Sequence, residues 1–187
     1  MKKISLSSLL TFAVALTTLS ACGGGGGGGG ASGVSIPSQP TKAVLTLSTA
    51  VTNTIPGTTT INSYDVTVTL PAGVTVKASP DSINPALLIA DPGVVTPTGS
   101  ASGSSLSAIY AAATDIMPGT VKIHLASGTG FSPGDFCTIA CDISSGTHPR
   151  ASDFAAPILD DATGLDASVS TVMLTGDLSV TVTAVIN

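Results

Sequence analysis

Apolar and polar residues alternate with a period of two along much of the chain from residue 42 onward. In "YDVTVTL", for example, Tyr64 and Val66 alternate with Asp65 and Thr67. Successive side chains of a β-strand point to opposite faces of a sheet, so this pattern predicts strands with one buried and one solvated face. No stretch predicts a long helix with comparable clarity. We therefore expect an all-β domain.

The same alternation predicts further strands, and the segments that show it are "KAVLTLSTA", "VTVKA", "SLSAIYAAA", "TVKIHLAS", "FCTIACDI" and "DLSVTVTAVIN". In "TVKIHLAS" the pattern places Lys122 and His124 outside. In "FCTIACDI" it leaves two choices open, because either the set beginning with Cys137 or the opposite set containing Phe136 faces inward. Pro, Gly, Asn and Asp separate the segments, as in turns. Several strands at such spacing predict an antiparallel jelly-roll β-sandwich over residues 42–187.

The N-terminus has the features of an export signal. Lys2 and Lys3 are followed by the apolar run 9–19, which is too short to span a bilayer. The run ends in "LSAC", which resembles the lipobox of bacterial lipoproteins. That resemblance implies cleavage of a signal peptide at residues 1–21 and acylation of Cys22, with palmitate among the expected lipids. An ordinary signal peptide with an incidental cysteine is the alternative.

Residues 22–41 follow as an acylated cysteine and a linker that begins with eight glycines, Gly23 to Gly30. A Gly-rich chain of this length has an expected reach of about 25 Å and is typical of a flexible tether. Because Gly23 rather than Asp follows the cysteine, the resemblance implies sorting to the outer membrane if the cell is Gram-negative. The expected location is therefore a lipid anchor in that membrane, on its periplasmic or cell-surface face.

The amino-acid composition limits the classes of partner that the protein can bind. Hydrophobic residues make up 43% of the chain and charged residues only 9%, and there is no Glu. Outside the leader, four basic residues stand against eleven Asp. So few cations cannot neutralise a phosphate backbone, which argues against nucleic acid as a partner. They also provide no basic patch for anionic lipid, so attachment to a membrane is expected to depend on the acyl chains.

Two cysteines lie in the predicted domain, four residues apart on one predicted strand. At ~3.3 Å per residue the Cα atoms of Cys137 and Cys141 should be roughly 13 Å apart. A disulfide needs a Cα separation below about 7 Å. We therefore predict two separate buried thiols that pack as small apolar groups.

The residues able to carry chemistry are few, and we expect neither an enzyme nor a bound cofactor or metal. His124 is predicted on the solvated side of a strand, and His148 lies in a loop with Arg150 and Asp153. The nucleophile elbow that accompanies many Ser-His-Asp triads does not occur. The densest acidic group, Asp160, Asp161 and Asp166 in "LDDATGLDA", lacks the alternating spacing of a calcium loop. A solvated turn and weak calcium binding both remain open for it.

Three segments resemble cohesin modules: "INSYDVTVTLPAGVTV" (61–76) resembles their early hairpin, 119–154 their later strand pair, and 159–182 their closing hairpin. The resemblance implies a jelly-roll sandwich that serves protein-protein recognition or cell-surface organisation, with a dockerin-like or other surface protein as partner. Because cohesins are related to carbohydrate-binding modules, polysaccharide binding is the alternative. Aromatic residues make up only 3% of the chain, and the pattern leaves only Tyr110 available for stacking on a sugar, which weighs against this alternative.

Overall fold

The computed structural model describes residues 38–55 and 59–187, and the long regular elements in them are β-strands. In chain order the strands of these residues are β1 (Lys42–Val51), β2 (Thr60–Leu70), β3 (Val74–Thr75), β4 (Ala78–Pro80), β5 (Leu88–Ala90), β6 (Val95–Pro97), β7 (Ser105–Ala111), β8 (Gly119–Phe131), β9 (Gly134–Ile143), β10 (Ile158–Leu165), β11 (Thr171–Met173) and β12 (Leu178–Ile186). Two short 3-10 turns, Gly99–Ala101 and Ala151–Asp153, interrupt them. No helix in the described ranges has the length and apolar character needed to cross a membrane.

The strands form two sheets in which all neighbouring strands are antiparallel. One sheet has five strands in the order β12-β1-β9-β3, with β6 also paired to β9. The other has seven strands in the order β11-β10-β2-β8-β7-β5-β4. The prediction of an all-β fold built from antiparallel sheets is confirmed, and the arrangement is that of a β-sandwich.

The hydrophobic core draws on residues of both sheets. In the central strands β2 and β8 every second side chain is buried, and these inward residues are Tyr64, Val66, Val68, Leu70, Val121, Ile123 and Leu125. The polar residues between them are more exposed, as the sequence pattern predicts. Burial of a branched apolar side chain stabilises a fold by about 1.5–3 kcal/mol, so this alternation fixes which face of each strand points inward.

An aromatic cluster joins the two sheets at the centre of the core. Tyr64 is fully buried, and its ring stacks on Phe131 with the ring centroids 5.1 Å apart. The ring of Phe136 lies 4.9 Å from it on the other side of the core. The Tyr64 hydroxyl is hydrogen-bonded to Thr49 Oγ1 at 3.2 Å. Because Thr49 and Phe136 belong to the five-stranded sheet, these contacts hold the sheets together.

A β-bulge in β9 decides the open question about its inward face. Leu47 lies opposite Cys137 while Ser48 lies opposite Asp135, so Phe136 is an extra residue between them. The bulge lets Phe136 and Cys137 both be buried, although they are adjacent in sequence. The structure therefore buries the set that begins with Cys137 and adds Phe136 to it.

Candidate functional site

The outer face of the seven-stranded sheet carries a group of charged side chains at its centre. The pairing of β2 with β8 places Asp65 opposite His124 and Thr67 opposite Lys122. Since Tyr64 and the alternate residues that follow it point into the core, these four side chains point to solvent. The neighbouring strand β10 adds Asp160. We call the five residues Asp65, Thr67, Lys122, His124 and Asp160 the charged face.

Hydrogen bonds and ion pairs order the charged face. His124 Nδ1 lies 2.8 Å from Asp65 Oδ1. Thr67 Oγ1 donates a hydrogen bond of 2.6 Å to Asp160 Oδ2, and Lys122 Nζ lies 3.9 Å from the same oxygen. Three neighbouring strands thus contribute three contacts between groups of opposite charge or complementary hydrogen-bonding capacity.

These pairs are open to solvent. The side chain of Lys122 is 57% exposed and that of Asp160 is 34% exposed. An ion pair in such a setting contributes only about 0–1 kcal/mol to folding, because water and salt screen it. The charged face is therefore not required to hold the sandwich together, and its groups remain accessible to a partner.

The acidic segment is arranged differently from the predicted solvated turn. Asp160 and Asp161 lie within strand β10, which is interrupted by a register shift between Leu159 and Asp161. Asp160 is the extra residue of this bulge, and its carboxylate reaches Thr67 on β2. The prediction of a turn was wrong here because β10 owes its extended form to pairing with β2 rather than to its own β-propensity.

The other two acids of this segment have separate partners. Asp161 accepts a hydrogen bond of 3.1 Å from the Thr175 hydroxyl. Asp166 lies in the turn after β10, where its carboxylate accepts the backbone N–H groups of Ser168 and Ser170 at 2.8 and 2.9 Å. In the part of the chain that the structure describes, no three His, Cys, Asp or Glu side chains are grouped so as to hold a metal ion.

His148 lies in the loop between β9 and β10 and is not one of the residues of the charged face. The carboxylate of Asp153 accepts the backbone N–H of Arg150 at 2.8 Å, at the start of the Ala151–Asp153 turn. His148 itself is exposed. The contact between Arg150 and Asp153 thus shapes the loop locally.

Tyr110 is not available for stacking on a sugar, contrary to the expectation from sequence. It is 8% exposed, and it packs on the inward side of β7, opposite Val121 of β8 and Leu88 of β5. This burial raises the pKa of the Tyr110 hydroxyl, with a further contribution from Cys141. All aromatic side chains within residues 38–55 and 59–187 are buried, and these are Tyr64, Tyr110, Phe131, Phe136 and Phe154.

Cys137 and Cys141 are free and buried, which confirms the prediction of two separate thiols. Burial raises the pKa of each to about 12, and the charge of Asp142 adds to the effect at Cys141. A thiol reacts as its thiolate, so both are unreactive at neutral pH. Cys22, the predicted site of lipidation, lies outside the described residues, as do the predicted signal peptide 1–21 and the glycine run.

Sequence reasoning singled out His124 and Asp160 separately and did not select Asp65 or Thr67. Alternation alone assigned Asp65 and Thr67 to the solvated side of their strand, which is a weak signal that many surface residues share. Only the strand pairing shows that they meet His124 and Asp160. Comparison of the chain with protein-family models, with curated proteins and with solved structures found no match.

Proposed function

We propose that this chain is an exported lipoprotein that is anchored to a membrane through an acylated Cys22 and binds a protein partner through the charged face. The anchor rests on the leader and on the "LSAC" segment that precedes the glycine run. In a Gram-negative cell the proposed location is the outer membrane. The role is recognition at the cell surface or in the periplasm, without catalysis.

The finer architecture that we propose is a cohesin-like jelly roll. The three segments that resemble cohesins supply central strands of the sandwich. The first segment contains β2 and β3, the second contains β8 and β9, and the third contains most of β10 together with β11. By this resemblance the partner is a dockerin-like or other surface protein that docks on one sheet face.

The observation that carries the proposal is the meeting of five charged or polar side chains from three strands on the open face of the seven-stranded sheet, in a chain that has only 9% charged residues. Complementary charges at an interface guide orientation and exclude incorrect partners. The burial of all five aromatic rings in the described residues disfavours the alternative, polysaccharide binding, because it leaves no ring for stacking on a sugar.

A pair of double variants tests the charged face. Lys122→Ala with Asp160→Ala removes one Lys–Asp pair from the seven-stranded sheet. Lys42→Ala with Asp142→Ala removes a Lys–Asp pair from the five-stranded sheet. The two pairs have the same side-chain exposures, 57% for Lys and 34% for Asp, and neither double variant changes the net charge.

The full-length protein and both double variants are used to capture partners from detergent extracts of cell envelopes, and the captured proteins are quantified. We expect the Lys122/Asp160 variant to lose about tenfold or more in retention of the specific partner, corresponding to about 1.4 kcal/mol. The Lys42/Asp142 variant should retain it. Equal retention by the two variants, or no partner specific to the wild type, would contradict the proposal.

A further inference from the structure

Two loops at one end of the sandwich carry large apolar side chains in solvent. Ile83 and Leu87 belong to the loop between β4 and β5, with exposures of 92% and 39%. Ile116 and Met117 belong to the loop between β7 and β8, with exposures of 89% and 62%. Single exposed apolar residues are common on protein surfaces, but a group of them marks an interaction site.

The pairing of strands places the two loops side by side. β5 lies next to β7 in the seven-stranded sheet, and Leu88 is opposite Tyr110. The loop that ends at Leu87 and the loop that follows Ala111 therefore leave the sheet at the same end. We call these two loops, with the exposed side chains of Ile83, Leu87, Ile116 and Met117, the apolar tip.

The apolar tip lies at the end where the chain joins the sandwich. β8 begins at Gly119, opposite Leu70, and the turn after Leu70 leads into Val74 of β3. Val74 is opposite Ile143, whose N–H donates a hydrogen bond of 2.9 Å to the carbonyl oxygen of Thr41. Thr41 and the apolar tip are thus at the same end of the molecule.

The sequence connection to the proposed lipid is short. Eighteen residues, 23–40, separate Cys22 from Thr41. The lipid proposed on Cys22 is therefore attached to the chain only a short way before this end of the sandwich. The opposite end of the sandwich, where the chain turns after β10, is not the end at which the segment from Cys22 enters.

Hydrogen bonds within the two loops satisfy several of their backbone groups. Asp81 Oδ1 accepts the backbone N–H groups of Ile83 and Asn84 at 2.9 and 2.7 Å. These bonds, that of Asn84 most of all, lower the pKa of Asp81 below its usual value. In the other loop, the Thr114 N–H donates to the Met117 carbonyl oxygen at 2.9 Å, and Thr114 Oγ1 accepts the Met117 N–H at 3.1 Å. Paired backbone groups lower the cost of contact with an apolar medium.

We infer that the apolar tip contacts the acyl region of the same bilayer that holds the lipid on Cys22. This inference rests on the proposed anchor and adds an orientation to it: the Thr41 end faces the membrane. The two loops contain Asp81 and Asp115 but no basic residue, so anionic lipid would not attract them, and the proposed attraction depends on the apolar side chains. Membranes of zwitterionic lipid should therefore suffice.

The absence of tryptophan from the sequence allows a direct test. Ile116→Trp places a single fluorescent reporter in the apolar tip. Met173→Trp is the matched control, because Met173 is 64% exposed and lies on β11, which pairs with the last residues of β10 toward the opposite end. Each full-length variant is purified from membranes and reconstituted into phosphatidylcholine vesicles, with and without brominated acyl chains.

We expect the Ile116→Trp variant to show blue-shifted emission and quenching by the brominated lipid, and the Met173→Trp variant to show neither. Ile83→Trp is a second reporter that should behave as Ile116→Trp does, in case one loop does not tolerate the larger side chain. Equal, solvent-like emission from both tip reporters and the control would overturn the contact.

Mass spectrometry of the N-terminal peptide in the same samples separates this inference from the anchor on which it rests. Acylated protein with a solvent-like tip reporter would overturn the membrane contact and leave the anchor intact. An unmodified Cys22 would overturn the proposed anchor, and the inferred orientation with it.

Discussion

At the scale of single residues, the three cysteines of the chain divide into two chemical kinds. Cys137 and Cys141 are packed in the core, and burial raises the pKa of each thiol from 9.0 to about 12. They are therefore neutral, apolar groups under physiological conditions. Cys22 stands in a different setting, between an apolar run and eight glycines, and is the cysteine to which we assign a function.

The buried thiols predict a loss of stability at alkaline pH. Between pH 9 and 12 the folded protein keeps protons on Cys137 and Cys141 that the unfolded chain releases, so the free energy of unfolding falls as the pH rises. Each thiol should contribute a slope of up to about 1.4 kcal/mol per pH unit in this window. Urea unfolding at several pH values between 8 and 11 measures the slope.

The double variant Cys137→Ala with Cys141→Ala serves as the control. It should be less stable at pH 8 because two side chains are truncated, but its slope between pH 9 and 10 should be shallower than that of the wild type. Tyr64 and Tyr110 also lower the free energy of unfolding as the pH rises, because burial raises the pKa of each above its usual value of 10.0. Their effect begins only near about pH 10, where tyrosines of the unfolded chain lose their protons. Identical slopes for the two proteins would contradict the assignment.

Tyr110 shows where a residue-level prediction failed. In "SLSAIYAAA" the alternation leaves Ile109 and Tyr110 as competing candidates for the inward side, because a tyrosine fits both an apolar and a solvated position. The structure buries Tyr110 and leaves Ile109 half-buried. The neighbouring strand β8 decides between them, and a single strand's sequence does not contain that information.

At the scale of elements, strand β10 is the main departure from the sequence-based prediction. Its segment contains two acids, an alanine and a glycine, all of which are uncommon in strands. Packing explains why position 164 is a glycine. A Cβ atom there would lie 2.5 Å from the carbonyl oxygen of Thr60 and 2.7 Å from Leu174 Cδ1. Close approach of β10 to β2 requires a residue without a side chain.

This contact predicts a large effect of Gly164→Ala. The added methyl group would push β10 away from Thr60 and reduce the free energy of unfolding by about 1–3 kcal/mol. Gly128→Ala on β8 is the matched control, because no atom lies within 4 Å of the Cβ position there. It should change stability by less than about 0.5 kcal/mol. Chemical denaturation measures both, and equal effects would contradict the role of Gly164.

The short strands β4, β5 and β6 also escaped prediction. Each has three residues, which is too short for a period of two to be recognised, and Pro80 and Pro97 end two of them. Proline is tolerated at the edges of sheets, which is where β4 lies. These strands exist because longer neighbours offer partners, so only the assembled sheet specifies them.

At the scale of the whole molecule, the period of two predicted the all-β class, the long strands and the buried face of β2 and β8. Strand order and the bulges in β9 and β10 depend on contacts between distant segments, so the sequence pattern does not contain them. For the same reason the sequence placed His124 and Asp65 on the solvated side without showing that they meet. The charged face emerges only when β10, β2 and β8 lie side by side.

Together, the two proposals imply an orientation of the sandwich relative to the membrane and to the partner. In the orientation that we propose, the Thr41 end with the apolar tip faces the membrane, and the charged face lies along the side of the sandwich. A partner could approach that face parallel to the bilayer surface. Under these proposals the faces of the two sheets differ in role: the side chains of the charged face on β2, β8 and β10 bind the partner, and the five-stranded sheet is not required for binding.

The anchor on Cys22 is the central claim, and the three cysteines allow its most direct measurement. Cell fractionation compares the wild type with Cys22→Ala, Cys137→Ala and Cys141→Ala, each detected in membrane and soluble fractions. We expect Cys22→Ala to be released from the membrane, and the variants of the two buried cysteines to remain bound like the wild type. Retention of Cys22→Ala in the membrane fraction at the wild-type level would contradict the account.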